Sequence, residues 1–317
     1  MVAVDLFAGC GGLSLGLSRG GIEVTAAFEL WKDACNVYNA NFDHDLHQVD
    51  LSDVEKATEL ISGYAPDLIA GGPPCQDFSS AGHRKDKGDR ADLTTDYCSI
   101  VCTVQPTWFL MENVTRIQNT AIFNDVKKRF GKAGYGLTEV ILNASLCGVP
   151  QRRKRVFLIG CMGERDGFLE PGILSKLAKK EMTVRDHFGT RLGTEFYYRH
   201  ARSYARRGIY SIDEPSATIR GVNRPIPPKY KFHPVDATND LTQVRPLTTS
   251  ERAQIQTFPA AFRWPVPSKT NLEQLIGNAV PVNLARLVAE AIVEHDAGLN
   301  MHDAVAVEID TRIEIVE

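Results

Sequence analysis

At 317 residues the chain has room for one large domain or two modest ones, because a single core usually stops growing near about 250–300 residues. Hydrophobic residues at 43% and charged residues at 24% are globular proportions, which exclude intrinsic disorder, a fibrous repeat and a coiled coil. The net charge of -3 hides an asymmetry: residues 290–317 sum to -7, the remainder to +4, and residues 191–231 alone to +6. No run approaches the ~18 consecutive apolar residues of a membrane span, and the opening residues lack a signal-peptide pattern, so a cytoplasmic protein without membrane attachment is expected. The seven cysteines are scattered without a C-x-x-C pair, which argues against a disulfide framework and a structural zinc site.

In chain order, the apolar run from Val2 to Phe7 reads as a strand, Gly9-Cys10-Gly11-Gly12 as a tight turn, and residues 13–17 as the start of an amphipathic helix. Further strands are expected over residues 24–28, 67–70, 108–111, 140–143 and 156–160, with another ahead of Asp50, spaced as βαβ crossovers require. These predict an α/β body with a parallel, doubly wound sheet. From about Cys161 to Pro267 prolines, glycines and arginines accumulate and helical periodicity fades, which predicts a second, irregular domain. Residues 281–293 recover a helix, with Leu284, Leu287, Val288, Ala291 and Ile292 on one face. The last segment alternates Val305, Val307, Ile309, Ile313 and Ile315 with polar residues, the period of a half-buried edge strand.

Chemistry concentrates where these strands end. The glycine turn before a helix N-terminus favours an anionic group, and its spacing differs from the dinucleotide G-x-G-x-x-G, so a smaller nucleoside ligand with an amino-acid carboxylate fits better. Glu29, ending the second strand, is placed to accept two ribose hydroxyls, and Asp50 follows the third; each is equally readable as a solvated loop carboxylate. Gly71-Gly72-Pro73-Pro74 delivers Cys75 on a stiff turn, as an attacking thiol needs, although a lone cysteine is more often a small core residue. Glu112 in Met111-Glu112-Asn113-Val114 ends another strand on the same rim. In Gln151-Arg152-Arg153-Lys154-Arg155, extended alternation puts Gln151, Arg153 and Arg155 on one face, where arginines can grip phosphate or a base carbonyl. The interval 191–231, basic and tyrosine-rich, has the composition of a phosphate-neutralising surface or of a solvated loop region.

Taken in order, these motifs, together with Arg245-Pro246-Leu247-Thr248 and Gly277-Asn278-Ala279-Val280-Pro281, closely resemble the DNA cytosine methyltransferases that methylate carbon 5, of the bacterial restriction–modification type. The resemblance runs to about Ala285, with residues 161–243 matching only in location and character. It implies a Rossmann-like S-adenosylmethionine-dependent methyltransferase fold with a mostly parallel sheet, over residues 1–160 and 268–317, plus a smaller irregular target-recognition domain over 161–267. It also implies S-adenosylmethionine as methyl donor, held by Phe7, Gly9, Gly11, Gly12, Glu29, Trp31, Asp50, Pro73, Asn278 and Val280. The thiolate of Cys75 would attack carbon 6 of a flipped cytosine while Glu112 donates to ring nitrogen 3, with Arg153 and Arg155 on the base carbonyl and phosphates. Ser79 and Arg90 fall in a stretch that resembles the loop with which the family closes over DNA. Gln151, Arg220 and Arg224 complete the expected DNA contacts.

Two positions depart from the family pattern, Val282 where a second proline is common and Gln254 where an arginine is common, and both bear on local packing alone. An RNA-directed relative would carry Cys-Phe-Thr after the Gln-x-Arg-x-Arg region, and this chain has none there. A catalytically silent DNA-binding relative is opposed by intact Cys75, Glu112 and Asn278. Cys98 and Cys102 lack the partners of a redox or zinc enzyme. The expected partner is double-stranded DNA, met as a monomer in the nucleoid, with a cognate restriction endonuclease acting separately.

Overall fold

A computed structural model describes residues 1–74, 93–201 and 206–313, with side chains to 298. Cys75, Ser79 and Arg90 lie outside the described residues. The first half alternates strand and helix as far as β6 and then adds two more strands: β1 (Val2–Leu6), α1 (Gly12–Arg19), β2 (Glu23–Glu29), α2 (Lys32–Asn39), β3 (Asp45–Gln48), α3 (Val54–Ser62), β4 (Leu68–Gly71), α4 (Leu93–Val104), β5 (Trp108–Val114), α5 (Ala121–Lys132), β6 (Tyr135–Asn143), β7 (Gln151–Arg152) and β8 (Lys154–Met162). Side-chain caps begin the helices where the sequence supplies them, as Asp53 accepts from the Lys56 amide and Thr120 from that of Phe123.

Seven of these strands form one sheet in the order β3-β2-β1-β4-β5-β8-β6. The chain winds outward from β1 through β2 and β3, returns to pair β4 on the other side of β1, and so leaves a switch point between β1 and β4 with its crevice at the strands' carboxyl ends. The sheet is mostly parallel, as expected, with one exception at its edge, where β8 runs antiparallel to both β5 and β6. A parallel return needs a crossover of a dozen or more residues, usually helical. The link from Asn143 to Lys154 holds only a short helical turn and β7, so the chain doubles back.

The second half contains α6 (Glu170–Ser175), α7 (Val184–Phe188), β9 (Phe196–Tyr198), β10 (Ile209–Ser211), β11 (Ser216–Ala217), β12 (Val244–Pro246), α8 (Thr249–Ile255), α9 (Lys269–Asn278) and α10 (Val282–Ile313). Its strands are short, forming a three-stranded sheet β10-β9-β12 and a ribbon in which β11 pairs with β7. Thr183 with Asp186, and Thr248 with Glu251, are reciprocal capping boxes that start α7 and α8. A buried cluster joins Cys10, Ala34 and Val37 of the first half to Val184, Phe188, Tyr197, Phe258 and Ile276 of the second, so the two halves share apolar packing.

Helix α10 locks onto α1 through a seam of small residues. A Cβ at Gly12, Gly16 or Gly20 would strike the Val280 carbonyl, Ala285 or Ala289 respectively, so these glycines let the helices touch backbone to backbone. The face expected from periodicity, Leu284, Leu287, Val288, Ala291 and Ile292, is buried. The stretch Lys269–Gly298 is long and apolar enough to cross a membrane, yet 72% of its most apolar window is buried within the fold. The expected C-terminal edge strand is corrected: the backbone stays helical to Ile313. Extending a helix already nucleated and packed adds one hydrogen bond per residue fixed, whereas a strand would need a new partner edge.

Candidate active site

Three left-handed residues build the turn after β1: Phe7 (φ 57°), Gly9 (φ 57°) and Gly11 (φ 85°), the last capping α1. A Cβ on Gly9 would meet nothing within 4 Å, so this part of the turn borders open space. Glu29, at the end of β2, braces it. One carboxylate oxygen accepts from the Gly9 amide at 2.8 Å, and the other from the amides of Leu30 at 2.8 Å and Trp31 at 2.7 Å. An ionised carboxylate offers about four acceptor positions, so these bonds leave capacity for a ligand hydroxyl. Asp50 is exposed, and hydrogen bonds from the Ser52 amide and hydroxyl hold its carboxyl below the usual carboxylate range. Half-buried Phe7 and Trp31, the two acids, the open glycine turn and the amides at the start of α1 fit a nucleoside with an amino-acid tail. Val280 is buried behind Gly12, and Asn278 is exposed at the end of α9.

Across the switch point lies the second half of the rim. Pro73, two residues before Cys75, is buried, and its carbonyl accepts from the Asn113 side-chain amide at 3.0 Å, which ties the end of β5 to the segment after β4. Glu112, 8% exposed, sits with one oxygen 2.9 Å from Nε of Arg155 and no aligned hydrogen-bond donor on that oxygen among the described residues. Burial pulls the Arg155 guanidinium below its usual range and the Glu112 carboxylate pulls it back. The pair can present a carboxyl and a guanidinium together to the edge of a planar ring.

The alternation expected for residues 151–155 is present, since Gln151 and Arg153 are buried while Arg152 and Lys154 are exposed. The inward side chains of Gln151 and Arg153 meet other parts of the chain. Arg153 is 2% exposed and donates to the carbonyls of Ile219, Gly277, Asn278 and Ala279 at 3.0 to 3.4 Å, a strut between these segments. Gln151 is fully buried, donating to the Gln256 side chain and accepting from the Ile219 amide. Arg220 donates to the His200 carbonyl, and Arg224 is exposed. With Arg199, these two arginines crowd His200 and, after burial, help hold its imidazole below its usual range, marking a positive cluster.

Sequence reasoning missed a buried ion pair behind that cluster. Arg252, 4% exposed, meets Glu273, 2% exposed, at 2.6 Å and also donates to the Arg220 carbonyl, while Asn223 and Thr249 donate to Glu273. Arg252 follows a capping box and reads as an ordinary helix-surface basic residue, so nothing in the sequence announced it. The departure at Val282 is explained, because its amide donates to the Gln256 carbonyl at 3.0 Å, a bond that proline could not make.

The strand order and the glycine turn set at its switch point define a Rossmann-like α/β methyltransferase. The chain belongs to the C-5 cytosine-specific DNA methylase family, whose pattern matches residues 1–294. It is 55% identical over 297 residues to the Type II methyltransferase M.HindV of Haemophilus influenzae, spanning 93% of this chain and 97% of that one. It is 51% identical over 292 residues to M.HgiDI of Herpetosiphon aurantiacus, spanning 92% and 94%. Among solved structures, a DNMT2 mutant from Spodoptera frugiperda shares the fold with a TM-score of 0.67 at 17% identity, over 92% of this chain and 99% of that one. The protein is therefore an enzyme that methylates carbon 5 of cytosine in DNA, the family's S-adenosylmethionine-dependent reaction.

Proposed function

We propose that the two halves of the rim divide the reaction between them. S-adenosylmethionine, when bound, supplies an electrophilic methyl group on a sulfonium. Phe7, Gly9, Gly11, Gly12, Glu29, Trp31, Asp50, Pro73, Asn278 and Val280 hold it, with the glycine turn at the amino-acid portion, Glu29 at the ribose and Asp50 near the base. On the other half, the thiolate of Cys75 adds to carbon 6 of a cytosine rotated out of the duplex, while Glu112 delivers a proton to ring nitrogen 3. Carbon 5 is then nucleophilic enough to take the methyl group. Loss of the carbon 5 proton and of the Cys75 sulfur restores the aromatic ring. Arg155, fixed beside Glu112, is placed for the base carbonyl, and Asn113 positions the segment that leads to Cys75 through its bond to Pro73.

The observation that carries this reading is the meeting of Glu29 with the glycine turn on one side of the switch point and of Asn113 with Pro73 on the other. Residues 161–267 choose the sequence on the duplex, with Arg220 and Arg224 among the base-reading candidates and Ser79 and Arg90 in the segment that meets DNA. By its likeness to Type II methyltransferases we infer that it works beside a separate restriction endonuclease, and we take it to act as a cytoplasmic monomer on double-stranded DNA. Bisulfite sequencing of a host genome expressing the protein tests the whole: conversion-resistant cytosines in one recurring sequence are expected, and their absence from an expressing host overturns it.

A further inference from the structure

Asp5 is the fourth residue of the central strand β1 and is fully buried, with Oδ1 lacking any hydrogen-bond partner among the described residues. Its other oxygen accepts from the Ser14 hydroxyl on α1 at 2.5 Å. Ser14 in turn accepts from the Tyr38 hydroxyl on α2 at 2.7 Å, and that hydroxyl lies 2.7 Å from Nε2 of His44. Ser14 and Tyr38 are fully buried, whereas His44 is partly exposed ahead of β3. The chain of contacts thus runs from the sheet's centre, beneath the glycine turn, to the surface.

Each hydroxyl has one proton to donate, so this chain has two self-consistent directions. In one, His44 donates through Tyr38 and Ser14 to a charged Asp5. In the other, a protonated Asp5 donates through Ser14 and Tyr38 to an unprotonated Nε2. Passing between them moves one proton along each bond and no heavy atom: Asp5 gives its proton to Ser14, Ser14 to Tyr38, Tyr38 to His44 Nε2, and His44 releases its other ring proton to water. A purely structural stitch of α1 and α2 to β1 needs no ionisable end, and it leaves the orphaned carboxyl oxygen unexplained.

We propose that Asp5 releases one proton along Ser14, Tyr38 and His44 when the positively charged methyl donor occupies the crevice, and regains it when the neutral demethylated product takes its place. This rests on the cofactor reading above. A cation near a carboxyl in a low-dielectric setting favours the charged form, and loss of that cation withdraws the support. In the ligand-free chain, burial first and the nearby Glu29 after it push the Asp5 carboxyl up to about 7, against the Ser14 hydrogen bonds, which lower it. Tyr97 on α4 also faces Asp5, but its hydroxyl is committed to the carbonyls of Ile69 and Leu110. At the other end, burial holds His44 below its usual range against the pull of Asp45 and Asp43, which keeps it able to accept.

Titration calorimetry of the full chain in two buffers of different ionisation enthalpy, near pH 6.5, tests this with S-adenosylmethionine and S-adenosylhomocysteine as probes. Groups on the ligand titrate alike in wild type and Asp5→Asn, so the difference between the two proteins isolates Asp5. The expected result is up to about one more proton released by wild type than by Asp5→Asn on binding S-adenosylmethionine, and no difference on binding S-adenosylhomocysteine. Equal proton counts for both proteins with both ligands would overturn the proposal. Should Asp5→Asn fail to fold, Ser14→Ala removes a donor to the charged form and should move the pH of half-release upward; an unmoved profile overturns it equally. Failure of wild type to bind either ligand would remove the cofactor reading itself, a distinguishable result.

Discussion

Three side chains separate the tasks at the level of single residues. Cys75→Ala should abolish methyl transfer while duplex binding persists, because the adduct needs the thiol; a gel-shift and a methyl-incorporation assay on the same preparation check this. Glu29→Ala should weaken S-adenosylmethionine binding by roughly 1.5–3 kcal/mol, the scale of hydrogen bonds to a charged group, measured by calorimetry. Asp5 makes a separate prediction for the ligand-free protein. Its carboxyl is raised in the fold from 3.8 to about 7, so the stability it contributes is fully present below pH 3.8 and drains away as pH climbs towards 7. Asp5→Asn should therefore gain on wild type in thermal midpoint between pH 5 and pH 8, and equal shifts at both pH values would contradict the burial argument. The place of Glu29 at the end of β2 was legible because strand ends leave marks in sequence. Arg153 was legible as inward-facing and illegible in its partners, since the carbonyls of Gly277 to Ala279 lie far along the chain.

Elements were readable to the extent that their own residues decided them. Strands β1, β4 and β5 are largely apolar and buried on both faces, β2 is buried from Ala26 to Phe28, and each was visible from its apolar run. The antiparallel course of β8 was not, because a strand's direction depends on the length and path of the connection before it rather than on its composition. The short strands β9 to β12 were hidden for another reason: two or three residues carry no period. At the C-terminus an alternating pattern lost to continuation of α10, where local periodicity competed with a helix already anchored upstream. That anchor makes a prediction. Gly16→Val would force a branched side chain into Ala285 and the backbone of Val282, and overpacking of this kind costs about 1–3 kcal/mol. Denaturant unfolding should register it, and an unchanged midpoint would mean that α1 and α10 can part without loss.

Across the whole molecule, the part of the chain proposed to choose the sequence is mechanically linked to the part proposed to carry the chemistry. The loop carrying Arg220 and Arg224 is pinned from beneath by the Arg252–Glu273 pair, by Asn223, and by close approach of Gly221 to Gly277, while Arg153 ties Ile219 and the Gly277–Ala279 segment to the start of β8. The packing that sets Arg155 beside Glu112 is thus continuous with the packing beneath that loop. Arg224, exposed, is the better placed for a guanine edge, whereas Arg220 already donates to the His200 carbonyl. Losing a base-reading arginine relaxes choice at one base pair by about 1–3 kcal/mol, and losing a phosphate contact weakens all sequences alike and lowers the salt slope by about one. Arg224→Ala should show the first signature on a library of duplexes varied at every position of the mapped site, with turnover on the preferred site retained. If it shows the second, the cluster around His200 neutralises the backbone, and sequence choice must come from other residues of 161–267.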